Sequence, residues 1–144
     1  MLARTFWTVV GTLVLVGAHY ASEVNQAKVL VVTHGDRVNI SDHVVRGKVT
    51  IFDFYSEYCP PCRRIAGPLE KLVNGNPKLL LRKVDLNRPG VKGIDWRSPV
   101  ARQYGISGVP YFIMFDEQGK VTHKGDEAME LLIKWLVERG LIRE

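Results

Sequence analysis

Residues 49–62 read Val-Thr-Ile-Phe-Asp-Phe-Tyr-Ser-Glu-Tyr-Cys-Pro-Pro-Cys, and they carry most of the information about the architecture of the chain. The first seven form a nearly continuous apolar run, which is typical of a central strand buried on both faces. Asp53 is the one charged residue in that run. The Cys-Pro-Pro-Cys segment then opens a predicted helix. The apolar face of this helix is formed by Ile65, Leu69, Leu72 and Val73.

Apolar runs and turn signals alternate on both sides of this segment. Further strands are predicted at residues 29–33, 79–85, 111–115 and 120–123, the last two as an antiparallel hairpin. A helical turn capped by Ser41-Asp42 and a short helix at 99–104 are also predicted. The intervening segment 87–98 is a loop rich in Pro and Gly that carries Trp96.

A final helix is predicted to start at Asp126, which would cap it. Its apolar positions follow the i, i+3, i+4, i+7 spacing and are Met129, Leu132, Ile133 and Leu136. After the strand at 29–33 and the helical turn, the order of elements is therefore βαβαβ, then a hairpin strand, then a helix. This order predicts an α/β or α+β single domain, with one layer of sheet and helices on its faces.

Composition bounds the class of protein. The chain of 144 residues has the length of one domain, and 46% hydrophobic with 24% charged residues is ordinary for a globular fold. The formal net charge is +5, but acids are interspersed with the bases, and no purely basic run, such as Arg63-Arg64, is longer than two residues. This pattern indicates a mixed, solvated surface, and we expect no nucleic-acid partner.

The first 21 residues have the pattern of a secretory signal peptide. Arg4 is the only charged residue before an apolar stretch at 6–18, and this stretch is shorter than the ~20 residues needed to span a bilayer. Ala18 and Ala21 are candidate cleavage positions. We predict that residues 1–21 are a signal peptide or an uncleaved membrane anchor and that residues 22–144 form the domain. The protein would then be periplasmic or otherwise exported; a buried first helix is the alternative.

Cys59 and Cys62 are the only cysteines, and they lie between a predicted strand and a predicted helix. Unpaired amides and the positive end of the dipole at a helix start favour a thiolate at Cys59, which makes it a nucleophile. Cys62, about one helical turn on, can bridge to it and resolve a mixed disulfide. Pro60 and Pro61 suit the first helical positions because they need no amide partner.

Three alternatives remain for this pair: a structural disulfide, a zinc site and an inactive motif. A structural disulfide across so short a loop stabilises little. Zinc would need two more ligands, and the four histidines are scattered along the sequence. We expect no metal and no organic cofactor, since the cysteines themselves carry electrons.

Two segments resemble the signature motifs of the thioredoxin family. Residues 52–63, Phe-Asp-Phe-Tyr-Ser-Glu-Tyr-Cys-Pro-Pro-Cys-Arg, are similar to the family's active-site segment. Residues 104–110, Tyr-Gly-Ile-Ser-Gly-Val-Pro, resemble its second signature, which ends in a cis-proline. The resemblance covers roughly residues 28–141. It implies a thioredoxin fold, a central mixed sheet flanked by helices.

The resemblance also implies roles for particular residues. Cys59 would attack the substrate disulfide and Cys62 would resolve the intermediate. Pro110 would follow a cis peptide bond, and the Val109 backbone would pair with an extended substrate segment. Tyr58 replaces the usual tryptophan on the surface beside Cys59.

Asp53 matches the family's buried acid, which would accept the proton of Cys62. The simpler interpretation is that Asp53 is paired with Lys83, which matches a family lysine close to that acid. Pro60 would help to shape the substrate surface and to tune the redox potential, and Pro61 would support the helix start.

The sequence thus predicts a thiol–disulfide oxidoreductase, a reductase or electron carrier outside the cytosol. Its substrates would be protein thiols and disulfides, and a membrane-bound redox partner would recharge it. A dithiol oxidase that introduces disulfides and a non-catalytic peptide-binding module are the alternatives, with metal delivery a weaker one. We expect a monomer. Its N-terminus is the candidate segment for membrane attachment.

Overall fold

The computed structural model describes residues 27–143. Within them it has five strands, three α-helices and one 3₁₀ turn. The strands are β1 (Val29–His34), β2 (Val49–Tyr55), β3 (Leu79–Asp85), β4 (Tyr111–Phe115) and β5 (Val121–Lys124). The helices are α1 (Pro60–Asn74), α2 (Pro99–Tyr104) and α3 (Asp126–Glu138), and the 3₁₀ turn is Ile40–His43.

The strands form one mixed sheet in the order β1-β3-β2-β4-β5. β1 and β2 run parallel to β3, whereas β4 is antiparallel to β2 and β5 is antiparallel to β4. The apolar run at 49–55 is the middle strand, and all but its two end residues are buried. The predicted central mixed sheet is therefore confirmed.

Hydrophobic cores cover both faces of the sheet because side chains alternate along each strand. The first core packs α1 and α3 on the sheet and includes Ile51, Leu69, Leu81, Phe112 and Leu132. The second packs α2 and the 3₁₀ turn on the opposite face and includes Ile40, Phe52, Phe54, Val84 and Val100. Each fully buried side chain of this size stabilises the fold by about 2 kcal/mol.

Both predicted helix caps are wrong. Asn39 caps the 3₁₀ turn, since its side-chain oxygen accepts a hydrogen bond from the Ser41 amide at 3.3 Å. Gly125 precedes α3 with a φ of 60°, and Asp126 is the first helical residue instead of the cap. A Cβ on Gly125 would lie 3.2 Å from the Tyr111 ring, so tertiary packing selects glycine there.

Two further details of the C-terminal elements differ from the prediction. The last strand is Val121–Lys124, one residue later than predicted, and its pairing with β4 has a register shift between Met114 and Phe115. Ile133 is 42% exposed, although its spacing places it with the apolar face of α3. The sheet covers only the narrower stripe that contains Leu132 and Leu136, which are fully buried.

The parallel strands give the domain two distinct ends. β1, β2 and β3 all finish at one edge of the sheet, and β2 continues from there to Cys59. The described part of the chain begins at the other end of the domain. There, Lys28 donates to the Asn76 and Leu79 carbonyls at 2.5 and 3.3 Å, and Arg82 donates to the Ala27 carbonyl at 2.7 Å.

The predicted signal or anchor at 1–21 lies outside the described residues. From Ala27 to Arg143, no helix has both the length and the apolar character required to cross a membrane.

Candidate functional site

Cys59 and Cys62 meet at the start of α1 and are joined by a disulfide, with their Cα atoms 5.3 Å apart. Cys59 is the N-cap residue of the helix, and its Sγ accepts a hydrogen bond from the Cys62 amide at 3.2 Å. Pro60 and Pro61 occupy the first helical positions, where no amide partner is needed. The helix start therefore directs an amide and the positive end of its dipole at the Cys59 sulfur.

The Val109–Pro110 peptide bond is cis, which confirms the prediction for this loop. The loop lies against the disulfide, with the Val109 carbonyl oxygen 3.6 Å from Cys59 Sγ. Both cysteines are buried, with 2% of Cys59 and 3% of Cys62 exposed. The two signature segments thus form one site, although Cys59 and Val109 are 50 residues apart in sequence.

Asp53 is buried in the middle of β2, at 2% exposure. Burial raises its pKa to about 7; the nearby Lys83 ammonium opposes this rise and the Glu70 carboxylate adds to it. Its Oδ1 atom has no hydrogen-bond partner among the described residues. Asp53 is thus a carboxyl group that can hold or release a proton near neutral pH.

The simple pairing of Asp53 with Lys83 is wrong. The two residues are register neighbours on β2 and β3, but Lys83 Nζ donates to Glu70 Oε1 at 3.0 Å. Glu70 lies on α1, on the same side of the sheet. Sequence reasoning missed it because a glutamate on a partly exposed helix face has no distinguishing signal.

A second missed feature is a polar anchor beneath the active-site turn. Buried Ser56 donates to Asn87 Oδ1 at 2.6 Å and accepts from the Tyr58 amide at 3.2 Å. Asn87 in turn donates to the Val91 and Gly93 carbonyls at 3.2 and 2.6 Å. The loop 87–98 is therefore fixed to the turn that carries Cys59. No sequence pattern distinguishes Asn87 for this role, because Asn is common in exposed turns.

With this geometry in place, the chain can be compared with known proteins. Residues 31–138 match the family model described as Thioredoxin. The chain belongs to the thioredoxin family. A thioredoxin of Chlamydia trachomatis is 34% identical over 97 residues, which are 67% of this chain and 86% of that protein. A protein disulfide-isomerase of Triticum aestivum is 29% identical over 109 residues, 72% of this chain but only 20% of that longer protein.

The fold of this thioredoxin-family chain also matches solved structures. Thioredoxin O2 from Arabidopsis thaliana in its oxidised state superposes with a TM-score of 0.52 at 22% identity, over 79% of this chain and 95% of that one. The family, the relatives and the Cys59–Cys62 pair together identify the protein as a thiol–disulfide oxidoreductase with a redox-active disulfide.

The surface around the disulfide of this family member is partly aromatic and partly proline-rich. Tyr58 is 40% exposed beside Cys59, and Pro60 and Pro61 are exposed on its other side. Trp96, at 41% exposure on the 87–98 loop, is no core residue. Across residues 27–143, no cluster of three or more His, Cys, Asp or Glu side chains could hold a metal ion.

Proposed function

We propose that this protein is a reductase or electron carrier for protein thiols, working outside the cytosol and recharged by a membrane-bound redox partner. The observation that carries the chemistry is the position of Cys59 Sγ, between the Cys62 amide and the cis-Pro110 loop. The export pattern of residues 1–21 supports the location. The direction of exchange is supported by the likeness to proteins named thioredoxin.

In the proposed reaction the reduced protein attacks a substrate disulfide. The Cys59 thiolate forms a mixed disulfide with one substrate sulfur, and the other leaves as a thiolate. Cys62 then loses its proton and attacks Cys59 Sγ, which releases the first substrate sulfur and forms the Cys59–Cys62 disulfide. Two electrons pass to the substrate, whose disulfide becomes a dithiol once protons are taken up.

Asp53 is proposed to take the proton of Cys62 during the second step. A general base works best when its pKa lies near the operating pH, and the pKa of Asp53, raised to about 7 chiefly by burial, meets this condition. Asp53 lies on β2, and Cys62 lies on α1, which packs against one face of the sheet. Lys83 would modulate the charge at Asp53, and Pro61 would keep the helix start fixed.

Substrate is proposed to bind as an extended segment along Val109 and Pro110, next to Cys59. The cis bond presents the Val109 backbone toward the disulfide, and an extended peptide can use such backbone groups as an added strand does. Exposed Tyr58 and Pro60 would supply apolar contacts at the rim. A protein disulfide, with its flanking backbone, suits this surface beside Cys59.

The deciding experiment is the equilibrium reduction potential of the Cys59–Cys62 pair, measured against glutathione or dithiothreitol buffers. A value of about −270 mV, that of thioredoxin, supports the reductase. A value of about −120 mV would replace it with a dithiol oxidase. Absence of a reversible two-electron couple would leave only a non-catalytic peptide-binding module.

Roles of the two cysteines can be separated by trapping. Cys62→Ser should accumulate a mixed disulfide with client proteins, visible on non-reducing gels, because the resolving sulfur is gone. Cys59→Ser should trap nothing, since the attacking sulfur is lost. Adducts that form equally with both variants would contradict the assignment.

Location can be tested with residues 1–26 fused to a reporter that folds only after export. We expect reporter activity, and we expect Leu13→Arg in the apolar stretch to abolish it. A reporter that stays inactive with the native segment would contradict export.

A further inference from the structure

We propose that Glu70 is a positioning residue for this reaction: it binds the Lys83 ammonium and keeps that cation from pairing with Asp53. Asp53 thereby stays able to receive the proton of Cys62. The inference rests on the proposed function, in which Asp53 is the proton acceptor. Neither the family motifs nor the sequence pattern points to Glu70.

The geometry around Lys83 supports this role. Lys83 and Asp53 are register neighbours on adjacent parallel strands, so their side chains leave the sheet on the same face, one strand spacing apart. Lys83 Nζ nevertheless lies 3.0 Å from Glu70 Oε1 and 4.9 Å from the centroid of the Tyr55 ring. Asp53 Oδ1 has no hydrogen-bond partner within the described part of the chain. Lys83, which neighbours Asp53 in the sheet register, is therefore ion-paired with Glu70 instead.

Solvent exposure decreases from Glu70 to Lys83 to Asp53. The Glu70 side chain is 40% exposed, that of Lys83 is 16% exposed, and Asp53 is 2% exposed. Glu70 therefore binds Lys83 at the solvent side of the sheet layer, and the cation is directed outward from the buried carboxyl group.

No other group packed around Asp53, among the described residues, supplies a cation to its carboxyl group. Besides Lys83, β3 contributes Asp85 next to Tyr55, and β2 contributes Tyr55 itself, whose pKa is raised to about 12 chiefly by burial. α1 contributes Glu70 and disulfide-bonded Cys62. The facing parts of β4 and α3 are apolar, with Phe112, Met114, Ala128 and Leu132. Lys83 is thus the cation that acts on Asp53, and Glu70 is its bound acid.

The direction of the effect follows from the charges. Lys83 lowers the pKa of Asp53 and Glu70 raises it, while burial remains the largest cause of the rise. Removing the Glu70 charge would release Lys83 toward Asp53 and would also remove a like charge. Both changes stabilise the Asp53 carboxylate and so lower its pKa, which makes that carboxylate a weaker base toward the Cys62 proton.

The test uses the full reduced chain and its Glu70→Gln variant. Reaction with a symmetrical aromatic disulfide such as dithionitrobenzoate releases one coloured thiolate when Cys59 attacks and a second when Cys62 resolves. Stopped-flow absorbance gives the rate of the second release as a function of pH. A parallel carbon-13 NMR titration of the Asp53 carboxyl gives its pKa without reference to rate.

We expect Glu70→Gln to move both the rate inflection and the Asp53 titration to lower pH by about one unit, as for a carboxylate that gains a cation. Glu130→Gln, which removes an exposed charge from α3, should leave both unchanged. In a Lys83→Met background, Glu70→Gln should shift them much less, because no cation is left to release.

Equal shifts with and without Lys83 would show that Glu70 acts only through its own charge, and would overturn the positioning role. Unchanged titration of Asp53 in Glu70→Gln would overturn it as well. Failure of the proposed function is distinguishable: if Asp53→Asn resolves the mixed disulfide at the native rate, Asp53 is not the acceptor, whatever Glu70 does.

Discussion

Asp53 is a carboxyl group whose burial destabilises the fold at neutral pH. Below pH ~4 the group is protonated in both folded and unfolded chains, so burial of the charge costs nothing. As pH rises toward about 7, the unfolded chain ionises while the folded chain keeps its proton, so stability falls. Above pH 7 the loss is complete and constant. The raised pKa sets this window between pH 4 and 7.

We therefore expect Asp53→Asn to stabilise the oxidised protein at pH 8 and to have little effect at pH 4. The gain has an upper bound of about 4 kcal/mol, because a rise of roughly three pKa units corresponds to about 1.4 kcal/mol each. Urea unfolding at the two pH values measures it. Asp36→Asn, an exposed acid after β1, is the matched control. A gain of equal size at both pH values would contradict the linkage.

At the scale of single residues, the sequence predicted the cysteine pair, the cis bond before Pro110 and the buried acid. These residues belong to contiguous motifs, so their neighbours in sequence identify them. The alternative that pairs Lys83 with Asp53 differs from the structure, because the Lys83 ammonium binds Glu70 instead. Which acid lies within 3.0 Å depends on how α1 packs on the sheet. That distance is tertiary information.

Helix ends are the part of each element most dependent on single backbone conformations. α2 ends at Gly105 with a φ of 62°, whereas α1 ends at Gly75 with a φ of −78°. A Cβ on Gly105 would have no atom within 4 Å, so the cost of Gly105→Ala comes from the backbone alone. We expect a loss of about 1 kcal/mol in the free energy of unfolding.

Gly75→Ala is the matched control, because its backbone suits any L-residue and its Cβ would meet only the Lys71 and Leu72 carbonyl oxygens, at 3.3 and 3.8 Å. We expect a smaller change than at Gly105. Chemical denaturation of both variants compares them directly. Equal losses would mean that the left-handed conformation of Gly105 is not the cause.

The 87–98 loop depends on one side chain for its attachment. Asn87→Ala removes its three side-chain hydrogen bonds and leaves the buried Ser56 hydroxyl without its acceptor. We expect a loss of about 2 kcal/mol, as for a buried polar group that loses its partner. Trypsin should also cut faster after Lys92 or Arg97.

Asn74→Ala, at the exposed end of α1, provides the control for this loop. Its digestion pattern should match that of the native protein. Native resistance to trypsin in Asn87→Ala would show that the Arg88–Asp95 ion pair, at 2.7 Å, holds the loop without Asn87.

Elements were predicted well from sequence where a pattern spans many residues. The apolar run of β2 and the 3.6-residue spacing on α1 are such patterns, and both elements form where they were expected. The caps at Asn39 and Gly125 were missed because each depends on one contact, a side-chain hydrogen bond in the first case and the Tyr111 ring in the second. The register shift between β4 and β5 depends on how the two strands pair, which no local sequence pattern records.

On the scale of the whole molecule, order and direction of the strands decide what the site can reach. The fold class was predictable because the βαβαβ order with a terminal hairpin and helix permits few arrangements. The same order places the carboxyl ends of the three parallel strands, and therefore Cys59, at one end of the domain.

Ala27, the first residue that the structure describes, lies at the other end of the domain, where Lys28 and Arg82 donate hydrogen bonds to backbone carbonyls. Immobilising the protein on a bead through its N-terminus should therefore leave the disulfide open to large clients. The rate of exchange with a folded protein substrate should match the rate in free solution. Immobilisation through a C-terminal tag is the comparison. A holder attached at the start of the chain and a client at the disulfide would never compete for the same space.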